Sequence, residues 1–142
     1  DHTCYVNSIA FPLRFPLFAT RSSDGTTIMY DMTTVPATIK HHFKNHQAKI
    51  KAVAFHPHLL ILTTASNDSS VILYDISVSE PVMKYHLKHD TERIFCVAFH
   101  PTYPLLATGS SNCCTRLYDI SALFPPSSSI ETTSTTSTFL PL

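Results

Sequence analysis

The chain has 142 residues, 44% of them hydrophobic, and its ten Lys and Arg balance ten Asp and Glu to a formal net charge of zero. That content is enough for a packed core, and the neutral balance argues against a dedicated nucleic-acid or membrane coat. No apolar run approaches the roughly 20 residues that cross a bilayer as a helix, so no membrane partner is expected.

Taken in order, the chain reads as short strands separated by turns. Val6–Phe11 (VNSIAF), Leu17–Arg21 and Thr27–Met32 are predicted as three strands. Between the last two, Ser22-Ser23-Asp24-Gly25 supplies an Asp that bonds its own backbone and a Gly that takes positive φ, as a tight hairpin needs. Thr38–Phe43 (TIKHHF) is a fourth, polar strand suited to a sheet edge. The plan recurs in Ile50–Phe55, Leu60–Thr64, Val71–Ile76 and Pro81–Leu87, where apolar runs with little alternation predict strands covered on both faces. It recurs again in Ile94–Phe99, Leu105–Thr108 and Thr115–Ile120, after which no convincing outer strand follows. Ten of the twelve residues from Ser127 to Thr138 are Ser or Thr, so 125–142 is expected to be a disordered tail.

These strands belong to a repeat. Ala10–Met32, Ala54–Ile76 and Ala98–Ile120 follow one pattern at equal steps of 44 residues, and each closes on a Tyr-Asp pair at Tyr30, Tyr74 or Tyr118. A period near 44 with several short apolar runs per unit fits a four-stranded propeller blade. The expected fold is all-β, a partial β-propeller of three blades, each a four-stranded antiparallel sheet, over residues 1–124. The units fall at about 2–44, 46–88 and 90–124. The start at Asp1 rather than Met is what a piece of a longer protein would show. The array is not expected to be a self-sufficient ring, because Leu17, Phe18, Leu105 and Leu106 in the end blades would be covered on one side only.

In register, the polar residues also repeat. The first unit has His2, Thr20, Asp24 and Tyr30, the second His46, Thr64, Asp68 and Tyr74, and the third Asp90, Thr108, Asn112 and Tyr118. The third lacks an imidazole at the matching place, although His89 is one residue away. A hydroxyl, an imidazole and a carboxylate together invite a catalytic-triad reading. A nucleophile is needed once, however, whereas a network that satisfies buried polar groups is needed in every blade, each unsatisfied group costing about 1–3 kcal/mol. The three sets are therefore read as structural, with no catalytic residue assigned.

From residue 2 to 120 these positions resemble the WD-repeat β-propeller family, with Tyr30, Tyr74 and Tyr118 where Trp is commonest. The resemblance implies that each set is a blade's structural tetrad and that the chain is a non-catalytic scaffold for other proteins held on blade-face loops. Ala54–Pro57 (AFHP), Met83–Tyr85 (MKY), Phe99–Pro101 (FHP) and Arg116–Ile120 (RLYDI) are similar to the WD-repeat subunits of cleavage stimulation factor. That similarity implies a nuclear role in pre-mRNA 3′-end processing. The alternatives are a WD-repeat adaptor in another nuclear or cytoplasmic assembly, such as a ubiquitin ligase or chromatin complex, and an enzyme that uses the propeller as a frame.

Other chemistry has little support. With Gly25 and Gly109 as its two glycines the chain contains no phosphate-cradling loop, and no HExxH or GxSxG occurs, so no cofactor is expected. His41 and His42 point to opposite faces of a strand, and His56 and His100 recur as a turn signature, so no metal site is expected either. The cysteines, Cys4, Cys96, Cys113 and Cys114, form no CxxC and are read as reduced thiols. One charge feature is uneven. No acidic residue lies between Asp31 and Asp68, while Lys40, Lys44, Lys49 and Lys51 do, which makes these lysines a candidate surface for an acidic or phosphorylated protein segment. Phe43 is the one aromatic nearby, so RNA contact is expected to be indirect or weak.

Overall fold

The computed structural model describes residues 2–89 and 91–123. Asp90 and the predicted tail at 125–142 lie outside the described residues. Among the described residues strands make up all the regular structure apart from a single 3₁₀ turn at Ser121–Leu123. The first sheet contains β1 (Val6–Ala10), β2 (Leu17–Ser22), β3 (Thr27–Asp31) and β4 (Thr38–Phe43) in that spatial order. The second contains β5 (Ile50–Phe55), β6 (Ile61–Ser66), β7 (Ser70–Asp75) and β8 (Val82–Lys88), again in order. The third contains β9 (Ile94–Phe99), β10 (Leu105–Ser110) and β11 (Thr115–Asp119). Neighbouring strands are antiparallel throughout. The fold is thus a partial β-propeller of three antiparallel sheets. Among the described residues the third blade has three strands, not four.

The 44-residue step is visible in the backbone. The β2–β3, β6–β7 and β10–β11 turns each place one residue at positive φ: Gly25 at 83°, Ser69 at 68° and Cys113 at 65°. A side chain there crowds the following carbonyl, at about 1–2 kcal/mol per residue. Gly25 has a further reason to be glycine, since a Cβ would come 3.2 Å from the carbonyl oxygen of Ala48. The strand after each turn ends on the Asp of a Tyr-Asp pair, and that carboxylate accepts the backbone N–H two residues on: Thr33 on Asp31, Ser77 on Asp75 and Ser121 on Asp119. The repeated Asp is therefore a turn cap.

Core residues lie between blades. Leu17, Ala19, Met29 and Phe43 of the first blade are buried against Leu62, Ile72, Tyr74 and Ile76 of the second. Ala65, Val71 and Leu73 of the second are buried with Ile94, Leu106 and Ile120 of the third. The middle blade is covered on both faces, so all of β6 and all but the last residue of β7 are buried, which is why those segments do not alternate. Arg21 of β2 ties the first two blades, its guanidinium donating to the Ile50 carbonyl on β5 at 3.0 Å. The expectation for the end blades is corrected in detail. Leu17 and Leu106 face the middle blade and are buried, while Phe18 and Leu105 point the other way and are half-buried. Among the described residues no helix is long and apolar enough to cross a membrane.

Candidate functional site

The second blade carries the fullest polar network. His46 sits in the β4–β5 loop, Thr64 on β6, and Asp68 and Ser70 at the β6–β7 turn. The imidazole Nε2 is 2.8 Å from Thr64 Oγ1 and Nδ1 is 2.9 Å from Asp68 Oδ2. With its proton on Nδ1 the ring donates to the carboxylate and accepts the Thr64 hydroxyl. The Asp68 carboxylate also accepts the backbone N–H of Gln47 at 2.8 Å, that of Ser70 at 3.0 Å and the Ser70 hydroxyl at 2.5 Å. Burial opposes its ionisation, but the bonds from Ser70, Gln47 and His46 outweigh burial and hold the carboxyl below the usual carboxylate range. Burial pushes the His46 imidazole below its ordinary value, and the Asp68 charge offsets this only in part, so the ring is neutral at pH 7. Tyr74 donates its phenol O–H to Asn45 Oδ1 at 3.0 Å, and burial raises its pKa to about 12.

The first blade repeats the arrangement with one departure. His2 Nε2 is 2.8 Å from Thr20 Oγ1, and Nδ1 is 2.9 Å from Thr26 Oγ1 and 3.4 Å from Asp24 Oδ2. Asp24 accepts the backbone N–H groups of Thr3 and Thr26, both at 2.9 Å, and the Thr26 hydroxyl at 2.5 Å. These bonds overcome the effect of burial and place its carboxyl far below the usual range. Among the described residues Tyr30 makes no hydrogen bond to this network. Its ring stacks on Phe18 with centroids 4.5 Å apart and planes 6° apart, and it stays half-buried.

The third blade is rewired. Asp90 lies outside the described residues, and the acid that reaches the β10–β11 turn is Glu92, which accepts from the Asn112 side-chain amide and from Ser110 Oγ. Arg116 lies 3.7 Å from the same carboxylate. Asn112 Oδ1 accepts the Ser110 hydroxyl at 2.6 Å and the Cys114 N–H at 3.0 Å, as Asp68 does for Ser70. Thr108 is buried, and among the described residues its hydroxyl oxygen has no hydrogen-bond partner, where Thr20 and Thr64 have an imidazole. His89 is fully buried, and its Nε2 bonds the Tyr118 phenol at 2.5 Å. Since His89 lies 44 residues after Asn45, it replaces Asn45 and not His46. Asn45, Ser70, Thr26 and Glu92 are members that sequence reasoning missed. The first three stood in the 44-residue register, while Glu92 is two residues out of it.

Thr64, His46 and Asp68 have the order and contacts of a triad, yet the Thr64 side chain is closed to solvent and His46 nearly so. A substrate carbonyl cannot reach that hydroxyl, and the same arrangement occurs at Thr20 and His2. His56 and His100 are turn caps: each Nδ1 accepts two backbone N–H groups, those of His58 and Leu59 and those of Thr102 and Tyr103. Among the described residues no three His, Cys, Asp or Glu form a group that could hold a metal. The cysteines are free and exposed.

The four lysines do not form one patch. Lys40 is the extra residue of a bulge in β4, since Met29 pairs with His41 and Tyr30 with Ile39. Its charge helps keep the Asp31 carboxyl low, after the bonds from Thr33. Lys84, 44 residues later, is the matching bulge residue, with its amine 3.4 Å from Asp75. Lys44 and Lys49 are exposed at the other end of the blades, flanking His46. Lys49 shares an opening of about 500 Å³ with Ser23, Asp24, Asn67 and Arg93, and the Lys51 amine lies 5.9 Å from the Phe95 ring centroid. Arg93 occupies the place of Lys49 and the exposed Lys88 that of Lys44 one repeat on, so the cations at this blade end include Lys44, Lys49, Lys51, Lys88 and Arg93.

Comparison with known proteins supports the fold. The family model described as WD domain, G-beta repeat matches residues 37–75 and 80–119, more than half of the chain. Each matched span starts at or beside the outer strand of one blade and ends on the third strand of the next. No curated protein matches the chain. Among solved structures, the crystal structure of Saccharomyces cerevisiae Sqt1 is similar with a TM-score of 0.76 at 17% identity, over 83% of this chain and 32% of that one. The chain thus spans about a third of that structure's length.

Proposed function

The chain belongs to the WD domain, G-beta repeat family, and we propose that it is a non-catalytic scaffold that holds other proteins on its blade-end loops. One observation carries this reading. The hydroxyl–imidazole–carboxylate set that could do chemistry occurs in two blades with its hydroxyl buried in both, whereas the unspent charge lies exposed on the rim. Lys44, Lys49, Lys51 and Arg93 are the residues offered to an acidic or phosphorylated segment, which ammonium and guanidinium groups hold by charge-assisted hydrogen bonds. RNA binds weakly at most, because Lys49 and Arg93 share their opening with Asp24, whose carboxylate repels a phosphate backbone.

The more specific reading is a subunit of a nuclear pre-mRNA 3′-end processing complex. It is supported by the AFHP, MKY, FHP and RLYDI segments alone. Capture with the tagged chain from nuclease-treated nuclear extract is expected to recover cleavage and polyadenylation subunits. Recovery of a ubiquitin-ligase or chromatin assembly in their place would replace that reading with the adaptor alternative and leave the scaffold reading intact.

A further inference from the structure

The outer strands of the first two blades carry the same irregularity. Lys40 and Lys84 are bulge residues 44 positions apart. Lys84 Nζ lies 3.4 Å from Asp75 Oδ2, and Lys40 lines one opening with Asp31. Each pair stands on the lip of a groove between two blades. The first groove, about 320 Å³, is lined by Phe15, Leu17, Asp31, Lys40 and Val78, and the second, about 560 Å³, by Leu59, Ile61, Asp75, Lys84 and Ala122. Residue for residue the second set lies 44 positions after the first, so this is one site built twice.

Neither groove belongs to an end of the array. The second is open with a blade packed before its first wall, and the first is open with a blade packed after its second wall, so a neighbour on either side leaves the site uncovered. The floor is apolar and the lip polar. Leu17 and Ile76 form a buried floor in the first groove, Phe15 and Leu60 pack against the same cluster, and Val78 is 46% exposed. Backbone groups around that floor are already paired, since the Pro16 and Leu60 carbonyls accept the N–H groups of Met32 and Ile76. At the lip Asp31 Oδ1 accepts the N–H and the hydroxyl of Thr33. Its Oδ2 accepts no hydrogen bond among the described residues, and the Lys40 side chain is exposed.

One residue of an extended peptide matches this pattern. Its N–H suits the open carboxylate oxygen, its C=O suits the ammonium, and an apolar side chain suits the floor. A charged ligand does not, because the lip holds one charge of each sign and repels an anion at Asp31 and a cation at Lys40. The first groove is at the lower end of the roughly 300–1,000 Å³ typical of small-ligand sites. We propose that the Asp31–Lys40 groove, with its repeat at Asp75–Lys84, is a second docking site for a partner protein, at the opposite blade end from Lys49 and Arg93. Its occupant is an extended, uncharged segment that seats one apolar side chain in the groove.

Methyl-resolved NMR of the chain titrated with acetyl-Gly-Leu-Gly-amide is expected to shift the Leu60, Ile76 and Val78 methyls to saturation, and acetyl-Gly-Gly-Gly-amide to leave them in place. Acetyl-Glu-Leu-Glu-amide should bind more weakly than the neutral leucine peptide. Val78→Asp, at an exposed side chain, should remove the response with unchanged far-ultraviolet dichroism, and Val78→Ser is the milder variant should Val78→Asp not fold. Asp31→Asn keeps an oxygen for Thr33 but puts an amide N–H in place of Oδ2. Affinity for the neutral peptide should then fall about tenfold, the worth of one charge-assisted hydrogen bond, and the order of the neutral and acidic peptides should reverse. Absence of saturable shifts at these methyls overturns the proposal. So do shifts that survive the Val78 variants, equal affinity for the glycine and leucine peptides, or an order of peptides that Asp31→Asn leaves unchanged.

Discussion

His46 and Thr64 meet at 2.8 Å with both side chains closed or nearly closed to solvent, and the contact recurs between His2 and Thr20 at the same distance. In the third blade the corresponding Thr108 has no imidazole beside it and keeps a buried hydroxyl with no partner among the described residues. The same residue type therefore has opposite energetic signs at two equivalent places.

Thr64→Val leaves the His46 Nε2 acceptor unsatisfied and should lower unfolding free energy by about 1–3 kcal/mol. Thr108→Val removes a hydroxyl that has nothing to lose and should be neutral or stabilising. Urea denaturation of both variants measures the difference, and equal losses would show that the assigned networks are wrong.

Positive φ sets a second contrast. Ser69→Gly and Cys113→Gly relieve crowding of about 1–2 kcal/mol against an entropy cost of about 0.5–1 kcal/mol, so each should gain up to about 1.5 kcal/mol. Gly25→Ala should lose about 1 kcal/mol or more, since its Cβ meets the Ala48 carbonyl. Thermal melts that rank Gly25→Ala above the parent would contradict this.

Acid should act in two stages. Burial lowers the pKa of His46 and of His56 below the ordinary 6.5. The unfolded chain then binds more protons as pH falls through that value, so stability is full above about 6.5 and declines below it. Asp24 and Asp68 are depressed from 3.8, so their contribution is full above that pH and is lost as acid protonates them. Melting temperature followed from pH 8 to pH 3 checks both, and a flat profile down to pH 5 would remove the imidazoles from the account.

The rim reading separates Lys40 from the other lysines. Lys49→Glu combined with Arg93→Glu should weaken binding of an acidic phosphopeptide and reduce its salt dependence, because exposed charges are screened. Lys40→Glu should leave affinity unchanged, since that side chain lies by Asp31. Fluorescence anisotropy at two salt concentrations reads both, and a larger effect at Lys40 would move the surface to the opposite blade end.

Much of the fold was legible because its signals are local. The 44-residue period, the Asp and Gly of the β2–β3 turn and the apolar runs placed all eleven described strands within about two residues, and the same register located His2, Thr20 and Asp24 with His46, Thr64 and Asp68. Tertiary structure decided the rest. When both sides of a strand are apolar, as at Leu17 and Phe18, alternation cannot tell which side meets the next blade. That depends on which neighbour stacks there. The lysines adjacent in sequence separate because β4 and β5 lie on different sheets, with the Lys40 bulge and the Lys49 loop at opposite ends of a strand. The third network was out of reach for a related reason. A longer Glu92 side chain two residues out of register can cap the same turn, because the chain needs a carboxylate at a point in space and not at a fixed place in the repeat.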